Sequence, residues 1–61
     1  MKELRSVRLK VGMTQKEVAE AISVSQAAIA KWETGKSSPS LSNLIKLADI
    51  YNTSVDSLVR K

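Results

Sequence analysis

Gln26, Ala27, Ala30, Lys31 and Thr34 stand within one nine-residue stretch, and there is no acid among them. Advanced at about 100° per residue along a helix, they share one face, opposite Ile29 and Trp32. An amide, an ammonium and a hydroxyl on an acid-free face suit phosphate oxygens, and the free N–H groups and positive dipole end of a helix N-terminus add to that. The same projection puts Glu33 at the edge of the buried side, and Arg8 falls at the edge of its own helix. Neither charge is stable alone in such a place. The two are expected to pair, guanidinium fork to carboxylate, tying the first helix to the end of the later one. Catalysis has little to work with, because the chain has no Cys and no His. That removes a disulfide, a conventional zinc site and the side chains most used as nucleophile and general base near neutral pH. Glu17 and Glu20 fall on the solvent side of a helix, where a carboxylate pair without a pocket is ordinary surface. The expectation is a binding protein, not an enzyme, with no cofactor, metal or small-molecule ligand.

Such a face needs helices to hold it, and the flanking residues predict five. From residue 4 to 11, Leu4, Val7 and Val11 recur at three- and four-residue spacing, and Gly12 follows as a stop. Thr14-Gln15-Lys16-Glu17 matches a capping box, with Met13 and Val18 at the positions of a hydrophobic staple. A second helix therefore begins there and runs to about Ile22, with Val18, Ala19 and Ile22 on one side. Only Ser23 and Val24 intervene before Ser25 offers another N-cap, and Val24 and Ile29 repeat the staple. The third helix covers about residues 26–33 and stops at Thr34-Gly35. Ser40 caps a fourth, in which Leu41, Leu44, Ile45, Leu47, Ala48 and Tyr51 make one broad apolar face. Asn52-Thr53-Ser54 turns into a short fifth carrying Val55, Leu58 and Val59.

The second and third helices, joined by about three residues, have the spacing of a helix-turn-helix, whose second helix enters the major groove of DNA. So short a joint forces a steep crossing. It should bury Val18, Ala19, Ile22, Val24, Ile29 and Trp32 between the two helices and against the first. At 61 residues the chain is one small domain, 1–61, burying only about 60% of the surface its unfolded form exposes. With 43% hydrophobic residues, one Trp, one Tyr and no Phe, the core is aliphatic. Ten Lys and Arg against six Asp and Glu leave a net charge of +4, which favours an acidic partner.

The run Gly12-Met13-Thr14-Gln15-Lys16-Glu17-Val18-Ala19, then Val24-Ser25-Gln26, Ile29-Ala30-Lys31-Trp32-Glu33-Thr34-Gly35-Lys36 and Pro39-Ser40-Leu41, closely resembles the Cro/repressor-type (XRE, lambda repressor-like) helix-turn-helix family. The resemblance covers about residues 4–58. It implies a compact five-helix all-α DNA-binding domain, usually a dimer acting on operator DNA as a transcriptional regulator. Carried over by position, it makes Gln26, Ala27 and Lys31 base-reading residues. It makes Gln15 a phosphate contact that also braces Gln26, and places Lys36 in a loop that meets the DNA backbone. The expected backbone contacts are then Thr14, Gln15, Ser25, Thr34 and Lys36, and the Arg8 to Glu33 pair is supported.

Two departures bear on function. Ser23 stands where the family usually has Gly, and a Ser in the left-handed conformation carries strain of about 1 kcal/mol. The reading face is also sparse: Gln26 suits adenine, Lys31 guanine or a phosphate, and Ala27 offers only a methyl. Modest discrimination is expected, with phosphate contacts and DNA shape supplying more of the affinity.

Other residues have plainer readings. Trp32, opposite the groove face, is read as core. Lys2, Arg5 and Lys10 are either phosphate neighbours or solvated charges. Leu9 and Ile50 are left projecting from their helices, and Ile50, Val55 and Val59 lie where a self-complementary patch would make a two-fold homodimer. The competing function is a protein-interaction module, an antitoxin or adaptor on the same fold. No window approaches the ~18 to 20 apolar residues of a membrane span, and Met1-Lys2-Glu3-Leu4-Arg5 has no signal-like apolar stretch, so a cytoplasmic protein without membrane contact is expected.

Overall fold

A computed structural model describes residues 2–59, apart from the side chain of Lys2. Among the described residues the regular structure is helical throughout: α1 (Lys2–Val11), α2 (Gln15–Ile22), α3 (Gln26–Thr34), α4 (Leu41–Ile50) and α5 (Val55–Val59). The order and number match the sequence reading, and α3 runs one residue past its expected end. Three of the starts are capped as their residues dictate. Thr14 makes a full capping box with Glu17, its hydroxyl accepting from Glu17 N–H at 3.1 Å and its own N–H donating to Glu17 Oε1 at 2.8 Å. Ser25 and Ser40 accept from Ala28 N–H at 3.1 Å and Asn43 N–H at 3.2 Å. Each hydroxyl satisfies a donor that the helix itself leaves orphaned.

The helices close on one another: α1 packs against α3 and α5, α2 against α3 and α4, and α4 against α5. The core they share is Leu4, Val18, Ala19, Ile22, Ile29, Trp32, Leu47, Ala48, Tyr51 and Leu58, aliphatic with two aromatic rings. Val7, Met13, Val24 and Leu44 are half-buried against it. Val18, Ala19, Ile22, Ile29 and Trp32 are thus buried as the short joint between α2 and α3 requires, and Trp32, 7% exposed, belongs to the core.

Four side chains depart from the expected pattern. Val11, Leu41 and Ile45, assigned to buried faces, are 44%, 67% and 54% exposed. Val11 is the last residue of α1, three residues beyond Arg8, the last buried side chain of that helix. On α4, at about 100° per residue, the packed arc runs through Leu44, Leu47, Ala48 and Tyr51, which leaves Leu41 and Ile45 on its flank. Ile50 departs the other way. It falls on the opposite flank, beside Leu47, and packs half-buried against the core, as does Val55. The patch of Ile50, Val55 and Val59 therefore has only Val59 exposed, at 43%.

Candidate nucleic-acid interface

The joint between α2 and α3 is tight because of one residue. Ser23 closes α2 in the left-handed region (φ 61°, ψ 48°), its N–H bonded to Ala19 C=O, and Val24 N–H reaches the same carbonyl at 3.0 Å. That doubled bond ends α2 abruptly, and Ser25, back in extended conformation at φ −76° and ψ 153°, starts α3 at once. The chain reverses within three residues and delivers α3 across α2 with Val24 tucked beneath.

On α3 the two faces separate as projected. Ile29 is 2% exposed and points inward with Trp32, while Gln26, Ala27, Lys31 and Thr34 are exposed and Ala30 is half-exposed. The acid of this helix, Glu33, is buried, so the exposed face carries a single formal charge, the Lys31 ammonium. Gln26 and Ala27 occupy the first turn, beside the helix N-terminus. Gly35 then ends α3 at φ 84°, a conformation glycine adopts without the Cβ penalty. The N–H groups of Gly35 and Lys36 converge on Lys31 C=O, which leaves the Lys36 side chain exposed just past the helix.

The expected hydroxyl contacts differ in what they have left to offer. Thr14 and Ser25 accept a backbone N–H in their caps, and each keeps its hydroxyl hydrogen for an outside oxygen. Thr34 instead donates back to its own helix, to Ala30 C=O at 3.0 Å and Lys31 C=O at 3.3 Å. In that rotamer it has no hydrogen for a phosphate.

Behind the face lies the ion pair. Arg8 Nε donates to Glu33 Oε2 at 2.6 Å and its Nη2 to Oε1 at 3.0 Å, with the two side chains 9% and 3% exposed. Two further bonds were not legible in the sequence: Arg8 Nη1 donates to Met13 C=O at 3.0 Å, and the Gln15 amide donates to Glu33 Oε1 at 3.1 Å. The Gln15 to Glu33 bond spans 18 positions with no repeat or spacing to announce it. Gln15 was expected to brace Gln26; the partner its amide has here is Glu33. Burial by itself would raise the Glu33 pKa, but the hydrogen bonds from Arg8 and Gln15 and the Arg8 charge outweigh it and hold the carboxyl below its ordinary value. The bond to Glu33 likewise raises Arg8 against its own desolvation. Tyr51 is pushed up to about 12, by burial first and by the Glu33 charge second, with Arg8 opposing.

Of the other basic residues considered, Arg5 and Lys10 are exposed, while the side chain of Lys2 lies outside the described set. No described helix is long and apolar enough to cross a membrane.

The family described as helix-turn-helix matches residues 4–58. The HTH-type transcriptional regulator ImmR of Bacillus subtilis is 37% identical over 60 residues, covering 98% of this chain and 47% of that protein. The HTH-type transcriptional activator BcrR of Enterococcus faecalis is 33% identical over 57 residues, 93% of this chain and 28% of its own length. The cryptic phage CTXphi transcriptional repressor RstR of Vibrio cholerae is 34% identical over 55 residues, 90% of this chain and 49% of its own. The chain thus spans about half the length of these relatives, or less.

Proposed function

The chain belongs to the XRE-type helix-turn-helix family of transcriptional regulators, a non-enzymatic DNA-binding family, and on that premise we propose that it reads double-stranded DNA with α3 in the major groove. The observation that carries this reading is the exposed face of Gln26, Ala27, Lys31 and Thr34, acid-free because Glu33 is turned inward. Gln26, Ala27 and Lys31 meet base edges. Thr14, Gln15, Ser25 and Lys36 meet phosphates, and Thr34 joins them once its hydroxyl is released from the helix. Lys31 and Lys36 supply the charge, so the net +4 matters through its placement.

The protein acts in the cytoplasm as a homodimer on an operator, and represses by occupying it. A body of 23 × 22 × 20 Å is of a size to set two recognition helices about one DNA turn, ~34 Å, apart. One relative is called a repressor and another an activator; repression is preferred because the reading needs only the groove-binding surface. Leu41 and Ile45, exposed side by side on α4, favour the alternative of a protein-interaction module.

Selection of bound sequences from a random DNA pool, followed by titration of the winner, tests the reading. Gln26→Ala should relax preference at one base position at a cost of about 1 to 3 kcal/mol. Lys36→Ala should weaken binding on every sequence and lower the salt slope by about one. If no sequence is enriched, or both variants bind as the native chain does, the interaction-module reading replaces this one.

A further inference from the structure

Glu33 is turned away from the exposed face of α3, yet it is bonded to a residue at the start of α2. Its Oε1 accepts both from Arg8 Nη2 at 3.0 Å and from the Gln15 amide at 3.1 Å. Arg8 in turn holds Met13 C=O at 3.0 Å, two residues before Gln15. One buried ion pair therefore grips the beginning of α2 twice, once through the backbone and once through a side chain. Gln15 is half-buried, so its amide sits where the ion pair meets the surface.

A side-chain amide is planar with two N–H donors, and binding one of them sets the direction of the other. We propose that Glu33 is a positioning residue for DNA binding, holding Gln15 through the Nε2 to Oε1 bond so that the second N–H meets a phosphate oxygen. The inference rests on the DNA-binding reading and deepens it. Arg8 makes the arrangement workable in two ways. It neutralises a carboxylate that would otherwise be buried alone, and it cancels the repulsion that an acid behind the interface would exert on phosphate. Ordering of the Gln15 side chain is complete before DNA arrives, which lowers the entropic cost of the contact.

The proposal gives Glu33→Gln a sign opposite to simple electrostatics. Removing an acid from a cationic DNA-binding surface should tighten binding; but glutamine has one acceptor oxygen where the carboxylate has two, and with that oxygen turned to Arg8 Nε its NH2 group faces the Gln15 amide, so the positioning bond is lost and binding should weaken. The experiment measures affinity for the selected DNA, with Gln15→Met, Glu33→Gln, and the two combined, at a temperature where each is folded by circular dichroism. Each single change should weaken binding about three- to ten-fold on all sequences, the value of one ordinary hydrogen bond. The pair together should lose no more than the larger single effect, and the salt slope should stay unchanged because an amide releases no counterion. If Glu33→Gln does not fold, Glu33→Asp keeps the charge on Arg8, withdraws the carboxylate by one methylene from Gln15, and should give the same loss. Native affinity in either single variant, tighter binding by Glu33→Gln, or fully additive losses would each overturn the proposal while leaving the DNA reading intact. Failure of the native chain to bind any DNA would overturn both.

Discussion

Arg8 and Glu33 each bring a full charge to a place water barely reaches, and they survive there because each nitrogen of the guanidinium donates to an oxygen. The net worth of such a pair is modest, since desolvation offsets most of the attraction, but breaking it strands the remaining charge. Arg8→Ala and Glu33→Ala should each cost about 3 to 5 kcal/mol in denaturant unfolding. For a domain this small the whole stability is about 3 to 9 kcal/mol, so the measurements belong in a stabilising osmolyte. A double-mutant cycle should return a large coupling; a value near zero removes the pair as a structural tie. Acidity tests the same residue. Glu33 has a lowered pKa in the folded chain, so its contribution is complete above the unfolded value, about 4.3, and is lost as pH falls through the folded one. Tyr51 works at the other end, because a raised phenol pKa favours the protonated fold. Its contribution is complete below the unfolded value, about 10, and is lost as pH rises from there toward about 12. Tyr51→Phe should flatten the alkaline limb of a stability-against-pH curve and leave the acid limb alone, whereas an unchanged alkaline limb would rule Tyr51 out as its source.

At the scale of the elements, the turn between α2 and α3 is where local chemistry and function pull apart. Gly12 and Gly35 end α1 and α3 at φ 86° and 84°, without a side chain to strain. Ser23 ends α2 in the same region at φ 61° with a Cβ in place. Ser23→Gly should therefore stabilise the chain by up to about 0.5 kcal/mol, the left-handed penalty less the extra entropy of an unfolded glycine. The urea midpoint should rise, and a fall would mean that the Ser23 side chain contributes more than its strain removes. Asn52 shows the alternative solution at the end of α4. It takes φ 54°, and the N–H groups of Asn52 and Thr53 return to Asp49 and Ala48 at 3.1 and 2.9 Å. The N-terminal caps are legible in the sequence because their chemistry is confined to four consecutive residues. Thr14 with Glu17, Ser25 and Ser40 all do what their spacing requires.

For the molecule as a whole, packing decided which apolar residues became core. Leu47 and Leu41 are both leucines on α4, yet one is 1% exposed and the other 67%. Leu47→Ala should cost about 2 to 5 kcal/mol, while Leu41→Ser and Ile45→Ser should stay within about 0.5 kcal/mol of the native chain by the same denaturant assay. A large loss from the serine changes would mean that these side chains are covered in solution, and sedimentation of the native chain would then have to show a dimer. A strict monomer, both free and on DNA, would instead remove the two-fold arrangement. The sequence by itself determined five helices in order, their caps, the short joint of α2 and α3, the acid-free face and the pairing of Arg8 with Glu33. All but the last follow from residue types a few positions apart or from the angular period of one helix; the pair follows from two such projections, each leaving one charge of opposite sign at a buried edge. Tertiary structure alone decided that Gln15 is held by Glu33, that Arg8 also grips Met13, that Thr34 spends its hydroxyl on its own helix, and that Ile50 and Val55 are covered while Leu41 and Ile45 are not. Those outcomes depend on how far each neighbouring helix reaches and on which rotamer its side chains take. A single helix's period carries no information about either.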